Sequence, residues 1–198
     1  MSSENIETRT RILEAAWKLL EDGTGSAVRM SDIAKASGIS RQAVYLHFPN
    51  RAELLTAVTR HIDEVKDVEA MLVESRAAKT GLARLDAFID AWGNYIPQIY
   101  GVANALMSMQ DSDAEARQAW GNRMQAVRHG CAAAVAALEH DDALVPTLTP
   151  ETATDLLWTL LSVRNWEQLT RDCGWSQEAY IDVMKALASK ALVVSEFG

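Results

Sequence analysis

The chain has 198 residues, of which 48% are hydrophobic and 23% charged, so it can bury a substantial core and is neither disordered nor collagen-like. Its net charge of −8 is uneven: residues 1–61 hold eight Lys/Arg against seven Asp/Glu, and residues 62–198 hold eleven against twenty. The acidic part is excluded as a general DNA-binding surface, whereas the nearly neutral N-terminal part can present a local basic face.

The same composition predicts a cytoplasmic chain with two reduced thiols. No apolar run is long enough to span a membrane, and residues 1–5 are polar and carry no secretory signal pattern. Cys131 and Cys173 lie far apart, without the spacing of a metal site. We therefore expect no membrane partner, no metal and no cofactor.

Apolar residues recur with helical spacing along almost the whole chain, and no alternating strand pattern occurs. This predicts an all-α fold of about nine helices. Their predicted ranges are about 7–22, 31–37, 41–47, 51–75, 82–96, 99–109, 114–139, 150–173 and 177–195. Pro97 is expected to stop or kink the fifth of these helices, and Thr149-Pro150-Glu151 is a strong start signal for the eighth.

The spacing of Ala34, Gly38 and Val44 is that of a helix-turn-helix. A small residue lets two helices approach, glycine makes the tight turn, and a β-branched residue fills the angle between the helices. Helical bundles that never touch DNA also contain such corners, so the spacing alone leaves DNA binding open.

Three segments resemble the N-terminal signature of the TetR family of transcriptional regulators. They are residues 10–16 (TRILEAA), 30–40 (MSDIAKASGIS) and 44–55 (VYLHFPNRAELL), in the order and spacing of that family. The resemblance implies a three-helix DNA-binding domain, placed at residues 1–52. A helical ligand-binding and dimerisation domain would follow at 53–198, with the helix that begins near residue 51 linking the two.

The resemblance also implies that Tyr45 and His47, in the family's Tyr-x-His-Phe motif, contact DNA phosphates. Arg51 stands where the family usually has lysine and keeps the positive charge, so the same role is expected of it. Chemistry adds two candidates for base contact: Arg41 suits guanine and Gln42 suits adenine. The predicted DNA-binding set is completed by Arg29, Ser31 and the helix cap Ser40, with Thr24 as a further backbone candidate.

A reading helix of under two turns is too short to bind tightly alone, so the chain is expected to form a homodimer on two half-sites. The last two predicted helices are apolar on more than one side and would pair with their copies in a four-helix interface, where the family also dimerises. The predicted interface residues are Trp166, Leu169, Tyr180, Met184 and Leu187.

Large residues on several helices could line a cavity for a flat or greasy molecule, although each could equally fill the core. The predicted pocket residues are Trp92, Met107, Trp120, Met124, Arg128, Trp158 and Asn165. No nucleophile set, metal spacing or phosphate-binding loop is recognisable, so the chain is not expected to be an enzyme.

The expected function is that of a ligand-responsive regulator, a repressor that binds double-stranded DNA at a pseudo-palindromic operator and is released by a small-molecule inducer. The alternative is a helix-turn-helix adaptor or activator controlled by a protein partner. The predicted helix of about 25 residues from Arg51 would carry the signal between the two domains as one rigid body.

Overall fold

The computed structural model describes residues 3–22 and 28–194, which leaves Thr24 outside the described residues. The all-α class is confirmed; within those ranges β-type pairing amounts to one isolated bridge between Leu144 and Val193. The helices are α1 (Ser3–Glu21), α2 (Met30–Ser37), α3 (Arg41–His47), α4 (Arg51–Val65), α5 (Val68–Met71), α6 (Val73–Ala77), α7 (Gly81–Met109), α8 (Ala114–His140), α9 (Pro150–Leu160), α10 (Val163–Glu167) and α11 (Gln177–Leu192). A π-helical turn, Gln168–Asp172, continues α10. None of the helices in the described ranges combines the length and apolar character needed to cross a membrane.

The chain forms two compact units that do not follow chain order. Unit 1 comprises Met1–Lys66 and Ile99–Met124, and unit 2 comprises Asp67–Gln98 and Gln125–Gly198. Each of the long helices α7 and α8 therefore has one part in each unit. This grouping concerns packing only, so the functional division predicted near residue 52 stays a prediction.

Unit 1 contains the helix-turn-helix as predicted from its spacing. Ile33 and Val44 are fully buried, and Ala34 and Phe48 expose only a few per cent of their surface. Helix α1 packs on both α2 and α4, and its apolar stripe from Ile12 to Leu20 lies in the core. Helix α3 in turn packs on α2. These contacts hold α2 and α3, which are too short to be stable alone.

Helix α4 is shorter than predicted. It ends at Val65, and Asp67 adopts a left-handed backbone with φ of 51°. Aspartate is among the few non-glycine residues that tolerate this region, and here its side chain accepts the N–H of Ala70 and starts α5. The predicted helix to about residue 75, and with it the single rigid body of about 25 residues, was wrong.

Helix α7, by contrast, runs through Pro97 without a stop, so the predicted separate helix at 99–109 was also wrong. A proline has no N–H, and this leaves the carbonyl four residues earlier, that of Gly93, without its helical partner. The amide Nε2 of Gln177 donates to that carbonyl at 2.8 Å. A long-range side chain therefore replaces the missing hydrogen bond.

The helix predicted over 150–173 is instead interrupted after α9. Ser162 starts α10 by accepting the N–H of Asn165, and Asn165 donates its side-chain amide to the carbonyls of Thr159 and Leu160. The indole N–H of Trp92 donates to the carbonyl of Leu161 at 2.8 Å. These side chains satisfy backbone groups that an unbroken helix would pair internally.

Candidate nucleic-acid interface

The turn between α2 and α3 fixes the direction of the short helix α3. Gly38 has a φ of 67°, a conformation that glycine adopts without strain, and the N–H of Ile39 returns to the carbonyl of Ala34 at 3.0 Å. Ser40 then caps α3 by accepting the N–H of Ala43 at 3.2 Å. Local hydrogen bonds therefore set the angle at which α3 leaves α2.

One side of α3 is buried and the other is open to solvent. Val44 anchors the helix in the core, whereas Arg41, Gln42, Tyr45 and Leu46 are exposed. The Arg41 guanidinium lies over the Tyr45 ring, 5.6 Å from its centroid, which orders both side chains at the surface. The exposed side is thus rich in the donors and aromatic groups that nucleic-acid contacts use.

Most of the predicted phosphate contacts line one cleft of about 560 Å³ in unit 1. It lies where the first turn of α2 and helix α3 face the start of α4. Its lining includes the predicted residues Arg29, Ser31, Arg41, Tyr45 and Arg51. Of the other predicted residues, Ser40 and Gln42 are exposed on α3 and His47 is half-buried at its end. The cleft is lined by three arginines, by a helix N-terminus and by one carboxylate, that of Glu115. Its net positive charge favours an anionic ligand such as a phosphate.

Arg51 does more than line this cleft. Its side chain is only 10% exposed, and Nη1 donates to Asp113 Oδ2 at 2.7 Å and to Glu115 Oε2 at 3.2 Å. Its Nε donates to the carbonyl of Val28. The sequence predicts a phosphate contact for this guanidinium, and the structure adds that it holds two carboxylates and the backbone before α2. A guanidinium presents several donors in a rigid fork and suits such a set of partners better than the point charge of a lysine would.

Asp113 is built into the same cluster at the start of α8. Its Oδ1 accepts the N–H groups of Glu115 and Ala116 at 3.0 and 3.1 Å, while Oδ2 binds Arg51. Burial raises the pKa of this carboxyl, but the N–H of Ala116 and the Arg51 guanidinium together outweigh it, so the pKa lies below its ordinary value. The carboxylate is thus charged at neutral pH. No local sequence signal could have identified this pair, because 62 residues separate its members.

Comparison with known proteins identifies the family. Residues 12–58 match the family model of bacterial regulatory proteins, tetR family. This segment of the chain belongs to the tetR family of bacterial regulatory proteins. The matched segment begins in α1 and ends in α4, and so it contains α2, α3 and the turn between them. Since the family consists of regulatory proteins, the prediction that the chain is not an enzyme is confirmed.

The similarity of the chain to curated relatives covers only part of its length. It is 37% identical over 73 residues to the HTH-type transcriptional repressor LfrR of Mycolicibacterium smegmatis, across 34% of this chain and 38% of LfrR. Matches to other relatives, such as the regulator TtgR of Pseudomonas putida, likewise span about a third of their length. The chain thus spans between about a third and about half of the length of these curated relatives.

Solved structures extend the likeness of fold to nearly the whole chain. A transcriptional regulator from Saccharomonospora viridis in complex with choline has a TM-score of 0.72 at 19% identity, covering 96% of this chain and 99% of that one. The regulator FadR from Bacillus subtilis in complex with stearoyl-CoA has a TM-score of 0.72 at 16% identity, covering 92% and 98%. At such identities the comparison concerns the fold alone.

The predicted pocket residues fall in both units. Met107, Trp120 and Met124 belong to unit 1, while Trp92, Arg128, Trp158 and Asn165 belong to unit 2. Trp92 and Asn165 donate hydrogen bonds to backbone carbonyls at the interruption after α9. Arg128 binds Asp155 through Nε and Nη2. These three therefore have structural partners, and a ligand role for any of the seven stays a prediction.

Three of the five predicted interface residues are instead part of the core of unit 2. Tyr180 is fully buried, and Trp166 and Met184 are 3% and 2% exposed, so none of them can offer a surface to a second copy. The Trp166 indole donates to Gln177, the residue that completes the backbone at Pro97. Their apolar spacing was correct, but it marks the inner side of α10 and α11. Leu169 is half-buried, and Leu187 is 44% exposed.

Proposed function

We propose that the chain is a transcriptional repressor that binds a pseudo-palindromic operator as a homodimer and is released by a small molecule. The observation that carries the proposal is the cleft beside α3, where Arg29, Arg41 and Tyr45 surround the first turn of α2. Phosphates held there would orient α3 so that Gln42 meets base edges in the major groove. A cytoplasmic location belongs to the same proposal, because the DNA partner lies there.

Dimerisation follows from the size of the reading surface, since a helix of seven residues contacts only a few bases. Helices α9 and α11 pack together in unit 2 and expose Leu156 and Leu187, which are 47% and 44% accessible. Large apolar residues exposed on paired helices suit burial against a second copy. We propose this outer side of α9 and α11 as the dimer interface, in place of the buried residues.

The operator and the dimer can be tested together. Duplexes enriched by the protein from a random pool should contain an inverted repeat, and the bound species should be one dimer per duplex by sedimentation. Affinity should fall steeply with salt, because several phosphates release their counterions. Leu187→Glu should give monomers that bind the same duplex far more weakly, whereas Glu178→Gln, an exposed change on the same helix, should leave the dimer intact. A monomer bound to an asymmetric site would contradict the proposal.

Small-molecule control is supported by the fold neighbours solved with choline and with stearoyl-CoA, two very different ligands. Since those ligands share no chemistry, they do not indicate which class this chain binds. We keep the predicted tryptophan and methionine residues as candidate ligand contacts. A thermal-shift screen that includes quaternary ammonium compounds and acyl-CoA esters would identify a ligand class. Release from DNA by a protein partner, with no small molecule active, would favour the adaptor alternative.

We further propose α8, rather than α4, as the carrier of the signal. Helix α8 spans 27 residues, about 40 Å, and continues from unit 1 into unit 2. In unit 1 it is tied to α4 by Asp113–Arg51 at 2.7 Å and by Arg123–Asp63. Any shift of α8 along its axis would pull on Arg51 and so on the start of α4, directly after the reading helix.

This coupling predicts a reciprocal effect between ligand and DNA, because each must change the affinity of the other by the same factor. The Asp113→Asn variant keeps the oxygen that caps α8 but loses the charge that holds Arg51. In this variant, the factor by which the ligand changes DNA affinity should fall from the usual range of about 5–150 toward one. The measurement is ligand titration with and without saturating operator. As a control, Glu69→Gln removes a surface ion pair with Arg76 and should leave the factor unchanged. If an Asp113→Asn variant that still binds DNA kept the full coupling, the Asp113–Arg51 contact would not transmit the signal.

A further inference from the structure

Leu46 is the most exposed of the large apolar residues in the described part of the chain, with 82% of its surface accessible. It lies in the reading helix between Tyr45 and His47, two residues that resemblance assigns to phosphates. Exposed leucines are common on protein surfaces and need no explanation singly. This one is notable for its place on α3.

The direction of Leu46 follows from the burial of Val44. Successive residues of a helix are turned by about 100°, so the residues two before and two after Val44 both point away from the core. These residues are Gln42 and Leu46, and both are exposed. They are four positions apart and so form one outward ridge, in which the two side chains are neighbours about 6 Å apart along the axis.

The inference rests on the proposed function: if α3 enters the major groove, this ridge enters deepest. A leucine side chain has no hydrogen-bonding group and can only recognise an apolar feature. The C5 methyl of thymine is the apolar group that base pairs present in the major groove. We propose that Leu46 determines specificity by packing on a thymine methyl one or two base pairs from the base that Gln42 contacts.

A protein partner is the competing occupant, and the surroundings of Leu46 argue against it. The other exposed residues of α3 are Arg41, Gln42 and Tyr45, so within this helix Leu46 has no aliphatic neighbour at the surface with which to form an apolar patch of the kind that protein interfaces use. The cationic cleft beside it also suits DNA rather than an apolar surface. A single apolar contact within polar and cationic neighbours is the arrangement expected of a groove-reading helix.

The test removes one methyl group from the DNA. A duplex enriched from a random pool by the wild-type protein should contain a fixed thymine beside the position that responds to Gln42. Replacing it by deoxyuridine in one half-site should weaken wild-type binding about fourfold, the value of one buried methyl-sized group. Replacing it by cytosine should weaken binding further, and 5-methylcytosine should recover part of that loss.

Leu46→Ala should bind the thymine and deoxyuridine duplexes equally, while Val65→Ala, an exposed apolar change on α4, should keep the wild-type preference. Equal binding of thymine and deoxyuridine by the wild-type protein would overturn the proposal, and this measurement needs no variant. If Leu46→Ala still preferred thymine over deoxyuridine, the proposal would also be overturned, because another residue would then contact the methyl group. Enrichment of no sequence at all would overturn the proposed DNA-binding function itself, which is a separate result.

Discussion

Arg51→Ala should lower the free energy of unfolding by about 3 kcal/mol, the lower end of the range for breaking a buried ion pair. The loss arises because Asp113, only 16% exposed, would stay charged without its partner. The lower end applies because the second carboxylate, Glu115, is 43% exposed and can turn to water. Chemical denaturation of wild type and variant measures the difference.

A matched control lies on the same helix. Arg60→Ala removes an exposed arginine of α4 and should change stability by less than about 0.5 kcal/mol. Equal effects of the two changes would mean that the ion pair contributes nothing. The double variant Arg51→Ala, Asp113→Asn should lose less than Arg51→Ala alone, because no uncompensated charge is left at Asp113.

The stabilising effect of this pair should depend on pH in a definite direction. The pKa of Asp113 is lowered in the folded chain, so its contribution is fully present above the ordinary aspartate pKa and is lost as the pH falls through the lowered one. The difference in stability between wild type and Asp113→Asn should therefore be constant near neutral pH and shrink in strong acid. A difference that grew on acidification would contradict the assigned direction.

The second large effect concerns recognition. Gln42→Ala should cost about 1–3 kcal/mol at one base position in each half-site, and it should relax the preference there. Affinity for duplexes that already lack the preferred base should change little. Binding measured across all four bases at that position gives the result directly.

Tyr45→Phe provides the contrasting variant on the same helix. Tyr45 is 39% exposed and lines the cleft, so loss of its hydroxyl should weaken all sequences similarly if it contacts a phosphate. A base-specific effect of Tyr45→Phe would contradict its phosphate contact, and a uniform effect of Gln42→Ala would contradict its base contact. The pair therefore tests the orientation of α3 in the groove.

The sequence by itself determined the helix-turn-helix and the starts of helices such as α3 and α9. Gly38, Ser40 and Thr149-Pro150 act through hydrogen bonds to residues within a few positions, or through the backbone angles of one residue. Such signals are complete in a short segment, so composition and spacing reveal them. The outward direction of Leu46 follows from the burial of Val44 in the same way. Its side chain has no hydrogen-bonding group, however, so its residue type does not indicate a base contact as that of Gln42 does.

Only the tertiary structure decided how the longer helices end and which side of them is inside. Pro97 is accommodated because Gln177, 80 positions later, bonds to Gly93, and Arg51 is held by carboxylates 62 and 64 positions away. The apolar spacing of Trp166, Tyr180 and Met184 is the same whether a core or a second copy covers them. Periodicity reports that a surface is apolar, but the partner that covers it is chosen by packing between distant segments, and local spacing contains no record of that choice.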